Sequence, residues 1–176
     1  MNKLPNHTAL KEWANAIDAV GRGEQVILIR KGGIADPTFG VEAQRFYLYP
    51  TYFHQPDAAP ADGGVAITHW CEVARTWRVH ELGALHRLAP HVVFPPDVLE
   101  TRYRFRADQA LHVIGVRTFA LPHAVTIEAK AEYGGCRSWV SVDDEIAIDG
   151  SVQVLREDAL QAKLDAIASV LSTLRQ

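Results

Sequence analysis

The chain has 176 residues, of which 48% are hydrophobic and 22% are charged, and its net charge is −3. These values exclude a disordered or collagen-like chain, and the small net charge excludes a protein that is basic throughout. The length predicts a single domain, 1–176. Because no apolar run approaches the roughly 20 residues of a membrane helix and the first residues lack a secretory signal, we expect a cytoplasmic protein without a membrane partner.

The first half of the chain predicts one helix and three strands. Apolar residues from Leu10 to Ile17 recur every three or four positions, which predicts a helix over 8–21. Three later segments, rich in β-branched and aromatic residues, are predicted as strands: 25–30, 46–49 and 65–79. The stretch 56–64, rich in Pro, Ala, Asp and Gly, is predicted as a surface loop.

The second half predicts further strands and a final helix. Pro95-Pro96 indicates a helix start before 97–102. Three more segments are predicted as strands: 111–119, 124–127 and 138–142. Asp149-Gly150 predicts a hairpin between 145–148 and 152–155. The apolar residues of 157–174 form one seam along a helix, which we expect to dock on the body of the protein, with a homodimer through this helix as the alternative.

This order of elements predicts the fold class. The strands do not alternate with helices, so we expect an α+β protein rather than a parallel α/β fold. The predicted architecture is a mixed or antiparallel sheet flanked by N- and C-terminal helices, with a closed barrel as one option.

The charges are distributed unevenly along the chain. The segment 73–106 contains six arginines against three acidic residues, whereas 143–176 contains seven acidic residues against three basic ones. A basic middle fits a local anionic partner, although solvated faces of opposite sign explain the pattern equally well.

Two cations follow a predicted buried strand. Arg30 and Lys31 stand at its end and precede Gly32-Gly33, where the absence of side chains lets the backbone approach a ligand closely. Guanidinium groups bind phosphate or carboxylate in a fork geometry. Arg30 and Lys31 are therefore candidate phosphate ligands, and a basic hairpin turn is the alternative.

The segment 46–55, FYLYPTYFHQ, is rich in aromatic residues. Tyr49 and Tyr52 stand close to His54 and Gln55, and aromatic rings beside an imidazole and an amide suit an unstacked nucleobase. These four residues are candidate base ligands, with core packing as the alternative. Further on, Arg137 and Trp139 alternate along a predicted strand after Gly134-Gly135, and we expect them to close the same pocket.

An enzymatic function is kept as an alternative. The chain contains no phosphate-binding loop, no dinucleotide fingerprint and no HExxH or GxSxG motif. Glu128 and Lys130 match half of a metal-dependent nuclease motif in which carboxylates hold Mg²⁺ and a lysine stabilises the transition state. A hydrolase that acts on a nucleoside is a further enzymatic alternative. We expect Mg²⁺ as a cofactor only for the nuclease, and otherwise no cofactor.

The sequences of three segments resemble a bacterial family called domain of unknown function 1802. They are ALKEWANAIDAVGRGEQVILIRKGGI, RFYLYPTYFHQ and YGGCRSWVSV, and the resemblance extends from Ala9 to about Leu174. The family occurs beside restriction-endonuclease-type domains. The resemblance therefore implies a role near DNA restriction or defence, with a restriction-type protein as a partner.

A second resemblance is to PUA-like folds, including the ASCH and EVE domains. Here the predicted helix leads through a glycine turn into a strand that ends in Arg30, as it does in ASCH domains. Gly23-Glu24 stands where a catalytic ASCH domain has Lys and Thr, so the resemblance implies binding of RNA or of a flipped modified base rather than amide hydrolysis. We therefore expect a nucleic-acid or modified-base binding module, with an enzyme and a structural partner as alternatives.

Overall fold

The structure is a computed structural model that describes residues 2–4, 7–31, 39–53, 59–60, 63–106 and 108–172. These residues form seven strands, four α-helices and two short 3-10 helices, at Ala89–His91 and Ala131–Tyr133. The strands are β1 (Thr8–Trp13), β2 (Ile27–Arg30), β3 (Arg45–Thr51), β4 (Gly64–Val79), β5 (Leu111–Glu128), β6 (Trp139–Ser141) and β7 (Val152–Gln153). The α-helices are α1 (Ala14–Gly21), α2 (Leu82–Leu88), α3 (Pro96–Arg104) and α4 (Glu157–Ser172).

All seven strands belong to one mixed sheet, which confirms the predicted α+β class. The strand order is β2-β5-β4-β3-β1-β6, and β7 pairs with β5. Strand β1 runs parallel to β3, whereas the other pairs are antiparallel. The order has two ends, so the sheet is not closed into a barrel.

The sheet curls around an apolar core without closing. One buried cluster contains Leu28 from one end of the sheet together with Leu10 and Trp139 from the other end. Helix α1 packs on the same cluster through Ile17 and Val20. The inner face of the curl is therefore the face that carries Leu28 on β2 and Leu10 on β1.

Helices α2, α3 and α4 cover the opposite face of β2 and β5. Leu160, Leu164 and Ile167 of α4 are buried in one cluster with Ile29 and Val113 of the sheet. This contact is the predicted docking of the seam on the body. Leu174 lies outside the described residues, and a homodimer through this helix stays a prediction that these contacts do not test.

The predicted helix over 8–21 is wrong in its first half, where β1 precedes α1. Strand β1 is buried on both faces, from Ala9 to Glu12, because β3 and β6 flank it. A strand with two buried faces lacks the alternation that distinguishes a strand from a helix in sequence. The apolar residues of β1 therefore continue the spacing of α1 in the sequence and predict a helix that begins at Thr8.

The predicted hairpin at Asp149-Gly150 is also wrong, although the turn exists. Gly150 has a φ of 76°, a conformation that favours glycine. The flanking segments pair with other parts of the chain, since Ala147 forms a bridge with Lys3 and β7 pairs with β5.

The two segments predicted at 111–119 and 124–127 form the single strand β5, whose pairing with β4 is irregular near Pro122.

Candidate functional site

Three basic side chains lie side by side on the inner face of the sheet. In the antiparallel register, Arg30 of β2 is opposite His112 of β5, and His112 is opposite Arg78 of β4. Directly opposed residues share a face and place their Cβ atoms about 4.5–5.5 Å apart. The adjacent inward pair along these strands is Leu28 and Ile114, both in the apolar core. We call Arg30, His112 and Arg78 the basic rung.

A buried carboxylate from β1 stands next to the basic rung. The side chain of Glu12 has no exposed surface, and its Oε2 lies 3.8 Å from Nη1 of Arg30. Its Oε1 lies 3.6 Å from Nη2 of Arg102 and accepts a hydrogen bond of 2.8 Å from the backbone N–H of Trp13. Among the described residues, Glu12 Oε2 and Arg30 Nε are buried without a hydrogen-bond partner. The hydrogen-bonding capacity of this buried ion pair is therefore only partly satisfied.

Helix α3 adds a third guanidinium to this region, after those of Arg30 and Arg78. Arg102 lies over the rings of Phe94 and Trp13, at 4.1 Å and 4.9 Å from their centroids, and its Nη1 donates to Ile29 O at 2.9 Å. Burial lowers the pKa of Arg102, and Glu12 opposes this shift. These contacts hold Arg102 in one orientation beside the end of β2.

Lys31 borders a cavity between the end of β2 and α3. Its ammonium donates to Tyr103 O and lies 5.0 Å from the centroid of the Tyr103 ring. Burial lowers the pKa of Lys31, and the nearby Asp108 raises it to a smaller extent. The cavity has a volume of about 290 Å³ and is lined by Arg30, Lys31, Arg102, Thr101, Phe105 and Ile29. Its size is close to the roughly 300 Å³ of the smallest ligand pockets.

The electrostatics of this region favour an anion. Burial, and secondarily Arg78, lower the pKa of His112, whose ring contacts Phe39 at a centroid distance of 5.2 Å. The lowered pKa disfavours a charge on His112, whereas Arg30, Arg78, Lys31 and Arg102 bring four further basic side chains to this region. Of these four side chains, Arg30 and Arg102 lie next to the buried carboxylate of Glu12, and the exposed Asp108 lies near Lys31. Such a cluster suits phosphate oxygens, which guanidinium groups bind through paired N–H donors.

The predicted aromatic ligands lie elsewhere. Tyr49 and Tyr52 line a separate cavity of about 270 Å³, together with Lys130. His54 and Gln55 lie outside the described residues, as does the glycine pair that follows Lys31. The structure thus brings Arg30 and Lys31 together, and it brings Tyr49 and Tyr52 together, but at two different cavities.

The predicted closing pair does not join the tyrosines. Trp139 is opposite Leu10 and therefore faces the inner core, whereas Tyr49 is opposite Lys11, which points to the other face. The Trp139 indole N–H donates to Gly40 O at 2.8 Å, and its ring meets Phe46 edge-on at 5.2 Å. Arg137 is exposed in the segment before β6. In this arrangement, Trp139 packs in the core.

The candidate nuclease residues lie at the far end of β5. Glu128 is exposed and opposite Gly64, and Lys130 forms an ion pair with Asp143. The hydrogen bond between Lys130 and Asp143 raises the pKa of the lysine and lowers that of the aspartate. Within the described ranges, no group of three or more His, Cys, Asp or Glu side chains is arranged to hold a metal ion.

Four residues of the basic region were not predicted as individual ligands: Glu12, Arg78, Arg102 and His112. The two arginines were included only as part of the basic segment 73–106. A signal for two of the four exists, because Arg78 and His112 stand next to the last or first residue of a strand, much as Arg30 stands at the end of β2. Only the strand register shows that these three positions share one row. The position of Glu12 at the site could not be predicted, because the sequence predicts a helix where the structure has β1.

Comparison with known proteins places the chain in a family and in a fold. The model of a family described as domain of unknown function (DUF1802) matches residues 9–166. No curated protein matches the chain. None of the helices in the described part of the chain is long and apolar enough to cross a membrane.

Two solved structures show the fold. One is an ASCH protein from Zymomonas mobilis, with a TM-score of 0.51 and 12% identity over 90% of this chain and 93% of that chain. The other is a single-residue variant of a Zymomonas mobilis ASCH protein, with a TM-score of 0.52 and 10% identity over 93% and 99%. The chain therefore has an ASCH-like fold, as the second resemblance implied.

Proposed function

The chain belongs to the DUF1802 family, and on that premise we propose that it binds nucleic acid, with phosphates held at the basic rung. The observation that carries this proposal is the register that aligns Arg30, His112 and Arg78 across three strands. Lys31 and Arg102 extend the positive charge from the rung toward α3. Contacts of this kind dominate the affinity of proteins for nucleic acids and make it dependent on salt.

The arrangement supports a single strand or a splayed nucleotide better than a regular duplex. The rung lies at the end of a curled sheet, and the adjoining cavity of about 290 Å³ is bordered by Phe105, which is 41% exposed. Aromatic side chains at such sites stack on bases that are free of pairing. The finer part of the proposal, a reader of modified bases in a restriction or defence system, derives from the family resemblance.

The experiment is a fluorescence anisotropy titration of labelled single- and double-stranded DNA and RNA, repeated between about 50 and 200 mM salt. Arg78→Ala removes an exposed member of the basic rung and should weaken binding to every sequence, with the slope of log affinity against log salt reduced by about 0.7–0.9. Arg156→Ala is the matched control, because this arginine is exposed and pairs with Asp158 at the start of α4.

Two results would overturn the proposal. One is the absence of salt-dependent binding by the wild-type chain to any of the four nucleic acids. The other is equal weakening by Arg78→Ala and Arg156→Ala, because the basic rung would then have no special role.

The same samples test the enzymatic alternative. With Mg²⁺ added and the products separated on a gel, the proposed binding module leaves every oligonucleotide intact. Cleavage that Glu128→Ala abolishes, in a variant that still folds, would favour the nuclease over the binding module.

A further inference from the structure

A second cavity lies on the other face of β1. It has a volume of about 270 Å³, and its side chains include four aromatic rings and two lysines: Tyr49, Tyr52, Phe53, Tyr133, Lys11 and Lys130. We call it the aromatic cavity. Consecutive residues of a strand point to opposite faces, so Lys11 belongs to the aromatic cavity while Glu12 stands at the basic rung.

The cations of the aromatic cavity already have hydrogen-bond or ion-pair partners. The ammonium of Lys11 is buried and donates to Tyr133 O at 2.7 Å and to Gly135 O at 2.9 Å. Lys130 forms an ion pair with Asp143 and lies 5.9 Å from the centroid of the Tyr133 ring. Because these charges have partners, the cavity is poorly suited to a phosphate and better suited to a neutral group.

The aromatic rings form a fixed floor and an exposed rim. Tyr49 is buried and meets Tyr133 edge-on at a centroid distance of 6.0 Å, and the hydroxyl of Tyr133 accepts a hydrogen bond of 2.9 Å from the backbone N–H of Asp143. Tyr52 is half-buried, whereas Phe53 is 83% exposed. An exposed phenylalanine beside an aromatic-lined cavity indicates a binding surface, because a ring stacked on Phe53 would bury its apolar area.

We infer that the aromatic cavity binds an unpaired nucleobase of the same strand whose phosphates lie at the basic rung. This inference rests on the proposed function. The two sites lie on opposite faces near the C-terminal end of β1, because Lys11 and Glu12 are neighbours there. A mononucleotide would fill one of the sites, whereas a strand that crosses the end of β1 fills both.

The test uses a single-stranded oligonucleotide with one 2-aminopurine at successive positions, whose fluorescence falls when it stacks on an aromatic ring. We expect quenching at one or a few positions with the wild-type chain. Phe53→Ala should abolish the quenching and lower the affinity about 5- to 150-fold, since each stacked base contributes on that scale. The salt slope should stay unchanged, because no phosphate contact is removed.

Two further variants keep the test decisive. Phe53→Trp preserves an aromatic surface and should retain both quenching and affinity. Val152→Ala alters another strongly exposed apolar side chain, 68% exposed on β7, and should change neither. Because Phe53 is so exposed, its replacement should leave the midpoint of the unfolding transition unchanged.

The outcomes separate this inference from the proposed function. If binding remains salt-dependent and sensitive to Arg78→Ala, but Phe53→Ala changes neither quenching nor affinity, the aromatic cavity is not a base site and only this inference fails. If the wild-type chain binds no oligonucleotide, the proposed function fails and this inference fails with it.

Discussion

The replacement Glu12→Gln tests the charge balance at the centre of the basic region. This carboxylate is fully buried and lies 3.8 Å from Arg30 and 3.6 Å from Arg102. Glutamine keeps the shape of the side chain but removes its charge, which leaves two guanidiniums facing a neutral amide. We expect the folded state to lose stability and the affinity for nucleic acid to rise.

The size of the stability change follows from these distances. At an effective dielectric constant of about 20, two unit charges about 4 Å apart attract by about 4 kcal/mol, although the desolvation of the carboxylate offsets much of this gain. Breaking a buried ion pair costs about 3–5 kcal/mol, and the low end applies because neither contact is within hydrogen-bond distance. A loss of about 3 kcal/mol corresponds to a Tm lower by about 6–12 °C in a chain of this length.

The assay is urea or thermal unfolding of the wild type and of Glu12→Gln, followed by anisotropy titrations well below the lower of the two Tm values. Glu24→Gln is the control, because it makes the same change in an exposed pair with Arg22 and should leave stability nearly unaltered. Affinity should rise severalfold in Glu12→Gln, since Arg30 no longer faces an anion that repels phosphate. Unchanged stability together with weaker binding would refute this reasoning.

Three other predictions concern separate parts of the molecule. Burial lowers the pKa of His112 below its usual 6.5, and phosphate favours the protonated ring, so affinity should rise as the pH falls below about 6.5, with a weaker dependence in His112→Gln. At pH about 8 a thiol reagent should modify the exposed Cys136 in the native chain and Cys71 only after denaturation, because burial raises the pKa of Cys71 to about 12. Gly115→Ala would place a Cβ 2.7 Å from Leu164 Cδ2, so urea unfolding should show a loss of about 1–3 kcal/mol; an unchanged midpoint would contradict the packing of α4 on β5.

Local sequence patterns predicted most elements but not their partners. Strand β4 and helix α4 were predicted nearly to the residue, because β4 is rich in β-branched residues and tryptophans and α4 has a regular apolar seam. Strand β1 was missed, since its two buried faces depend on β3 and β6, which are distant in sequence. Asp149-Gly150 forms a turn as predicted, but the segments beside it pair with other parts of the chain and not with each other.

For the candidate site as well, the sequence identifies some of the residues but not the residues that become their neighbours. Arg30 and Lys31 were identified from their place after a buried strand, a feature that is local. The partners of Arg30 could not be identified, because His112 and Arg78 become its neighbours only through pairing across three strands. Trp139 lies on a strand as predicted, but Arg137 precedes that strand, and which face of the strand is the inner one depends on the curl of the whole sheet.

The most direct test of the central claim is the salt dependence of nucleic-acid binding by a double variant, Arg30→Ala with Arg78→Ala. If the basic rung holds phosphates, the slope of log affinity against log salt should fall by about 1.4–1.8 relative to the wild type, because two phosphate contacts are lost. Arg156→Ala, measured beside it, should leave the slope close to that of the wild type. A double variant that folds and binds with the wild-type slope would contradict the account.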